Sequence, residues 1–190
     1  MGAERFVRVL ACLTIVLMSA ASLSLANAAT RSVPIRLTSP VIAADGRIPL
    51  AQSNYGANRS PALTWTAVVG ARGYAVILDD PDAPGPRPFV HWLIWNIPGA
   101  AASLLEGLPA AARLAEPPGA VQGRNDADGI GYFGPRPPSG VHHYRFRILA
   151  LDTLLGIPPG SDRAALSAAM SGHVLAAGGF TATYPAPGER

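Results

Sequence analysis

The chain contains no lysine: all 15 of its Lys-plus-Arg residues are arginine. It has a single cysteine, Cys12, inside an apolar run near its start. That excludes a disulfide framework and thiolate chemistry from everything downstream. Charged residues are sparse at 14%, and the arginines are scattered along the sequence without a basic stripe. Nucleic-acid binding therefore has no electrostatic footprint. No H-x-x-x-H or C-x-x-C pairing occurs, so a zinc site built from Asp80, His91 and His142 would lack its usual local scaffold, and no metal is expected. The stretch "PPSGVHH" does not supply the G-x-S-x-G elbow of a serine hydrolase. Nothing in the order of the carboxylates sets two of them across a cleft, as glycoside hydrolysis requires.

One long apolar run is present, from residue 9 to about residue 25. Arg5 and Arg8 precede it, and Ala26-Asn27-Ala28 follows with an A-x-A pattern. Together these read as a secretory signal peptide over residues 1–28, with Ala29 as the mature N-terminus. The rival reading is an uncleaved anchor, but Ser19, Ser22 and Ser24 interrupt the run near the lower length limit for a span. Cys12 lies within the apolar core rather than after it, which argues against lipid attachment there. No later stretch is long and apolar enough to span a membrane, so a periplasmic or secreted location is expected. The remainder, residues 29–190, carries 13 arginines against 11 acids, a net charge of +2, and suits one domain with a real core.

Glycine (20) and proline (19) punctuate short apolar runs, the pattern of an all-β domain. Strands are expected at 35–38, 63–66, 74–78, 90–97, 143–151 and 180–184. One helix is expected, capped by Ser161, striped by Leu166, Met170 and Val174, and ended by Gly178. The segment 98–140 is long and rich in Gly, Pro and Ala, so it is expected to be functional or mobile. In "FVHWLIWNI" both strand faces are apolar, which makes this a central strand with His91 pointing into packed surroundings. In "HHYRFRILAL" alternation puts His142, Tyr144 and Phe146 on the inward face and His143, Arg145 and Arg147 on the other.

Two histidines and a tyrosine thus fall on inward faces near strand ends, and Asp80 and Asp82 fall at another. Buried imidazoles and carboxylates need partners, so one shared pocket is the economical arrangement, although satisfied core histidines beside a capped turn would give the same pattern. Imidazole, phenol and the backbone of a Gly-rich turn can donate to phosphate-like oxygens, while an aspartate can meet a cationic part of the same ligand. Asp79 is expected to be a surface or turn residue.

Six stretches in order resemble the phosphatidylethanolamine-binding proteins, in particular their bacterial Raf-kinase-inhibitor-like branch. They are "LTSP" at 37–40, "SPALTW" at 60–65, "DDPDAP" at 79–84 with "VHWLIWNIP" at 90–98, "QGRND" through "GYFGPRPP" at 122–138, "HHYRFRILALD" at 142–152, and "GHVLAAGGFTATY" at 172–184. The resemblance implies two antiparallel sheets with Greek-key connections, a short C-terminal helix and a small anion pocket. By that resemblance the pocket residues are Asp80, Asp82, His91, the turn Gly134, Pro135, Arg136, Pro137 and Pro138, and His142 with Tyr144. Two departures stand out. "AQSNYGANRS" replaces the family's more usual Cys-Asp-Gly version, and Phe89 stands where a tryptophan is common. Arg136 could supplement anion binding or reach solvent.

These residues point to a non-enzymatic binding protein for a phosphate- or carboxylate-bearing small molecule or headgroup, with no cofactor. Two alternatives differ in class. One is an interaction or inhibitory module, kinase- or peptidase-inhibitor-like, that recognises a phosphorylated or acidic segment. The other is a hydrolase using His91 and His142 as acid and base.

Overall fold

A computed structural model describes residues 34–189; the expected signal segment 1–28 and the expected cleavage site lie outside them. The elements are β1 (Leu37–Thr38), β2 (Leu63–Trp65), β3 (Gly73–Asp80), β4 (Phe89–Pro98), β5 (Ser103–Leu104), β6 (Val121–Gln122), β7 (Val141–Leu151), α1 (Arg163–Met170) and β8 (Val174–Pro185). They form two antiparallel sheets, a three-stranded one in the order β1-β2-β5 and a five-stranded one in the order β6-β4-β3-β7-β8. After β4 and β6 the chain returns along β7 to lie beside β3, the spatial order of a Greek key.

The large sheet is buried on both faces at its centre. One face packs Tyr74, Val76, Leu78, Trp92, Ile94, Phe146 and Ile148 against Leu37, Leu63, Trp65 and Leu104 of the small sheet. The other packs Ala75, Ile77, Leu93 and Trp95 under Leu166 and Met170 of α1. This is why "YAVIL" and "FVHWLIWNI" are apolar at every position rather than at alternate ones.

Four expectations about element limits are corrected. The helix is capped by Asp162, whose side chain accepts from the Ala165 amide at 2.9 Å, whereas Ser161 turns back to the Pro158 carbonyl. It ends at Met170, well before Gly178, because Gly172 at φ +82° reverses the chain. Val174 consequently opens β8 instead of closing a helical stripe. β8 also extends through "VLAAGG", a run with little strand propensity, because β7 offers it a continuous partner from Val141 to Leu151. Tertiary pairing overrides local preference there. Finally, β3 runs on through Asp79 and Asp80.

The segment 98–140 holds two short strands and is anchored by buried polar side chains. Gln122 accepts from the Trp92 indole at 2.8 Å and donates to the carbonyls of Pro109 and Ala111, both at 2.8 Å. Asn125 donates to the Gly131 carbonyl and accepts from the amides of Ala127 and Gly129. Gln122→Leu would strand one buried donor and two carbonyls. We expect it to cost about 3 kcal/mol, given the usual penalty per unsatisfied group. A lowered urea midpoint with an unchanged slope is the expected readout; wild-type stability would mean that water replaces the amide.

Candidate functional site

Register assembles the site. Asp80 at the end of β3 pairs with Phe89 at the start of β4, and Asp79 pairs with both Val90 and Arg145. The end of β3 and the starts of β4 and β7 therefore meet at one end of the large sheet. The prolines of "DDPDAPGPRPF" keep the β3–β4 link from extending the ladder, since they lack N–H donors and restrict their neighbours. Asp80 Oδ1 then accepts from the amides of Asp82 and Ala83 at 2.8 and 3.1 Å, so the carboxylate itself folds the turn.

A cavity of about 260 Å³ lies there, lined by Asp80, Ala83, Pro84, Phe89, His91, Phe133, Arg136, Pro138, His142 and Tyr144. Asp80, His91, His142 and Tyr144 are buried, whereas Arg136 is exposed at the wall. His142 Nδ1 donates to Asp80 Oδ2 at 2.7 Å. His91 Nδ1 donates to the Phe133 carbonyl at 2.6 Å, and its Nε2 lies 4.0 Å from Asp80 Oδ2. The His91 ring is packed between Phe89, Phe133 and the edge of Tyr144. The Tyr144 hydroxyl is buried with no partner in good hydrogen-bond geometry, although the Asp80 carboxylate and the Arg136 backbone both lie near enough to act on it.

These contacts fix the protonation chemistry. Because the Phe133 carbonyl can only accept, the His91 proton sits on Nδ1, and a neutral His91 presents a lone pair at Nε2. Burial lowers His91 below its ordinary 6.5, against the opposing pull of the Phe133 hydrogen bond and the Asp80 charge. Burial, followed by the Asp80 charge, raises the Tyr144 phenol, which stays a donor. A bare oxyanion would thus meet Tyr144 and the Arg136 guanidinium directly, but would meet His91 only as an imidazolium.

The expected site residues do not all arrive at the cavity. Asp80, His91, Arg136, Pro138, His142 and Tyr144 line it, and Asp82, Gly134, Pro135 and Pro137 do not. The Asp82 carboxylate instead accepts from the backbone amide and Nδ1 of exposed His143, each at 2.7 Å. The turn 134–138 is a poor backbone donor. Three of its five residues are prolines, and the Gly134 amide is spent on Asn58 Oδ1 at 2.7 Å. The turn is held from behind by "AQSNYGANRS": the Asn54 amide bonds the Pro135 carbonyl and the Tyr55 hydroxyl bonds that of Pro137. A Cβ on Gly134 would come within 2.3 Å of the Gln52 carbonyl oxygen, so this close approach needs glycine. Ala83, Pro84, Phe89 and Phe133 are wall residues outside the expected set. Among the described residues, no group of three or more His, Cys, Asp or Glu could hold a metal.

The expectation for Asp79 is overturned. It is fully buried on the other face of the sheet, where its carboxylate receives Arg145 Nε at 2.7 Å, Arg147 at 2.5 Å and Arg163 at 2.6 Å. Burial alone would raise this carboxyl, but the Arg145 hydrogen bond and the charges of Arg147 and Arg163 hold it below the usual value. Two arginines of β7 and one at the start of α1 are thereby gathered into one cluster.

Two antiparallel sheets, one short helix and a small cavity at the strand ends define the protein as a two-sheet antiparallel β-fold. The chain belongs to the phosphatidylethanolamine-binding protein family, whose model matches residues 38–185. It is 50% identical over 131 residues to a UPF0098 protein of Methanothermobacter thermautotrophicus, covering 68% of this chain and 85% of that one. A Mycobacterium tuberculosis protein named "Putative lipoprotein LppC" is 37% identical over 153 residues, 77% of this chain and 72% of that one. The crystal structure of E. coli YbcL, described as a member of the mammalian PEBP family, superposes with a TM-score of 0.73 at 31% identity, covering 80% of this chain and 99% of that one.

Proposed function

We propose that the protein is a non-enzymatic binding protein whose pocket takes a phosphate- or carboxylate-bearing small molecule or headgroup. The observation that carries this reading is the unpartnered, buried Tyr144 hydroxyl in a cavity also lined by Arg136, His91 and the Asp80–His142 pair. Hydroxyl and guanidinium supply donors for an oxyanion, and Asp80 supplies an acceptor for an attached amine. The lining contains no serine, threonine or cysteine to act as a nucleophile, which favours binding over covalent turnover. With no lysine or metal in the lining, affinity between millimolar and tens of micromolar is expected, about 4–6 kcal/mol. Titrating phosphate and phosphoethanolamine while following the His91 and Tyr144 signals by NMR tests the reading. Hydrolysis of a phosphoester abolished by His91→Ala would replace it with the hydrolase alternative.

We also propose export to the cell envelope. The A-x-A pattern at 26–28 and the lipoprotein name carried by the M. tuberculosis relative support it. No helix among the described residues is long and apolar enough to cross a membrane. N-terminal sequencing of the exported protein is expected to begin at Ala29, and an intact Met1 in the membrane fraction would show an anchor instead.

A further inference from the structure

The sheet face opposite the pocket carries a charge cluster that the proposed ligand site does not use. Asp79 contributes one negative charge and Arg145, Arg147 and Arg163 contribute three positive ones, a net +2 on a single buried carboxylate. Each guanidinium gives the carboxylate one hydrogen bond, out of five N–H donors. The arginine side chains are 30–40% exposed, so the unused donors reach the surface. Arg147 Nε, in contrast, is buried without a partner.

Two depressions flank Arg163, and their charges differ. The first also contains Arg87 and Arg124 together with Asp126, Asp128 and Asp162, so its own carboxylates outnumber its other guanidiniums. Arg87 is already paired there with Asp126. The second is a groove of about 440 Å³ between α1 and the β7–β8 ribbon. It contains Arg147 and Arg163 and no carboxylate, and its apolar wall includes Met170, Val174 and Ala177, with Ser167 beside the arginines. Arg147 and Arg163 therefore make this groove cationic at one end and leave it apolar along the rest, while Arg145 lines a separate depression along β7 and β8.

We propose that this groove is a second binding site, for an amphiphilic oxyanion whose head sits on Arg147 and Arg163 and whose chain lies over Met170, Val174 and Ala177. Charge complementarity selects the head: an oxyanion with two or more oxygens accepts from two guanidinium forks, whereas an ammonium is repelled. The apolar wall selects a chain over a bare ion. The site shares no residue with the Asp80–His91 pocket and stands independently of it.

The test is a backbone-amide NMR titration of the protein with dodecyl phosphate below its micelle-forming concentration. Inorganic phosphate and dodecyl maltoside serve as the two half-ligands. Saturating shifts at Ser167, Met170 and Ala177 are expected with dodecyl phosphate, and binding about tenfold weaker with either half-ligand. Ser167→Glu places a carboxylate in the groove while leaving all three partners of Asp79 in place. It should weaken dodecyl phosphate by about fivefold, with an unchanged urea midpoint as the folding control. Ala177→Trp, which changes no charge, should weaken dodecyl phosphate by blocking the chain. Equal binding of dodecyl maltoside, shifts confined to the Asp80–His91 pocket, or wild-type affinity in Ser167→Glu would each overturn the proposal.

Discussion

Asp79→Ala is expected to destabilise the fold by about 3 kcal/mol at neutral pH, the scale seen when one member of a buried ion pair is removed. The variant leaves Arg145, Arg147 and Arg163 crowded together with no counter-charge. Their partial exposure lets water screen them, which keeps the cost from being larger. The pH dependence follows from the lowered carboxyl. The unfolded chain takes up this proton near the ordinary 3.8, and the folded protein only at lower pH. The stabilisation is therefore fully present above 3.8 and is lost as pH falls through the folded value. Urea denaturation at pH 7 and at decreasing pH measures both. A wild-type midpoint for Asp79→Ala at pH 7 would show that the cluster contributes nothing.

The second large effect is on ligand binding. With its Nδ1 proton held by the Phe133 carbonyl, His91 can donate to an oxyanion only after Nε2 gains a proton. Burial keeps that proton off in the empty protein, so binding a fully deprotonated oxyanion near neutral pH should draw one in. Affinity should then strengthen as pH falls toward and below 6.5. The empty protein should respond oppositely. Its unfolded chain protonates near 6.5 and its folded state only lower, so stability contributed by His91 erodes as pH drops below 6.5. His91→Ala should weaken all anions by about 1.5–3 kcal/mol, the range for a charge-assisted contact, and should flatten the pH dependence. Asp80→Ala should mainly remove any preference for an attached amine. Calorimetry in two buffers of different ionisation enthalpy reads the proton directly. Binding with no proton uptake and no pH dependence would mean that His91 makes no contact with the anion.

Much of this arrangement is legible in the sequence. Alternation along β7 separated His142 from His143, and the two apolar faces of "FVHWLIWNI" placed His91 inside. Both follow from the two-residue period of a strand and need no tertiary information. Asp79 reads as a turn residue because it opens the Asp- and Pro-rich stretch "DDPDAPGP". Only the pairing of β3 with β7, and the arrival of Arg163 from 84 residues away, makes its burial tolerable. The same limit applies to the turn at 134–138. Its composition suggests an anion-binding backbone, but Asn58, far away in sequence, takes the Gly134 amide. Phe133 acts through its carbonyl and its ring, and no residue pattern marks a backbone carbonyl as the group that fixes a tautomer. β8 is longer than its sequence suggests because "LAAGG" has no strand signature and is recruited by β7.

The most direct test of the anion pocket is a single NMR titration of the wild-type protein with phosphate and with phosphoethanolamine up to tens of millimolar, by the affinity range expected of so small a site without lysine or metal. The His91 and Tyr144 signals should move together and saturate with both ligands, more tightly with the amine attached. If neither ligand perturbs either signal, the pocket does not bind anions, and the proposed function fails with it.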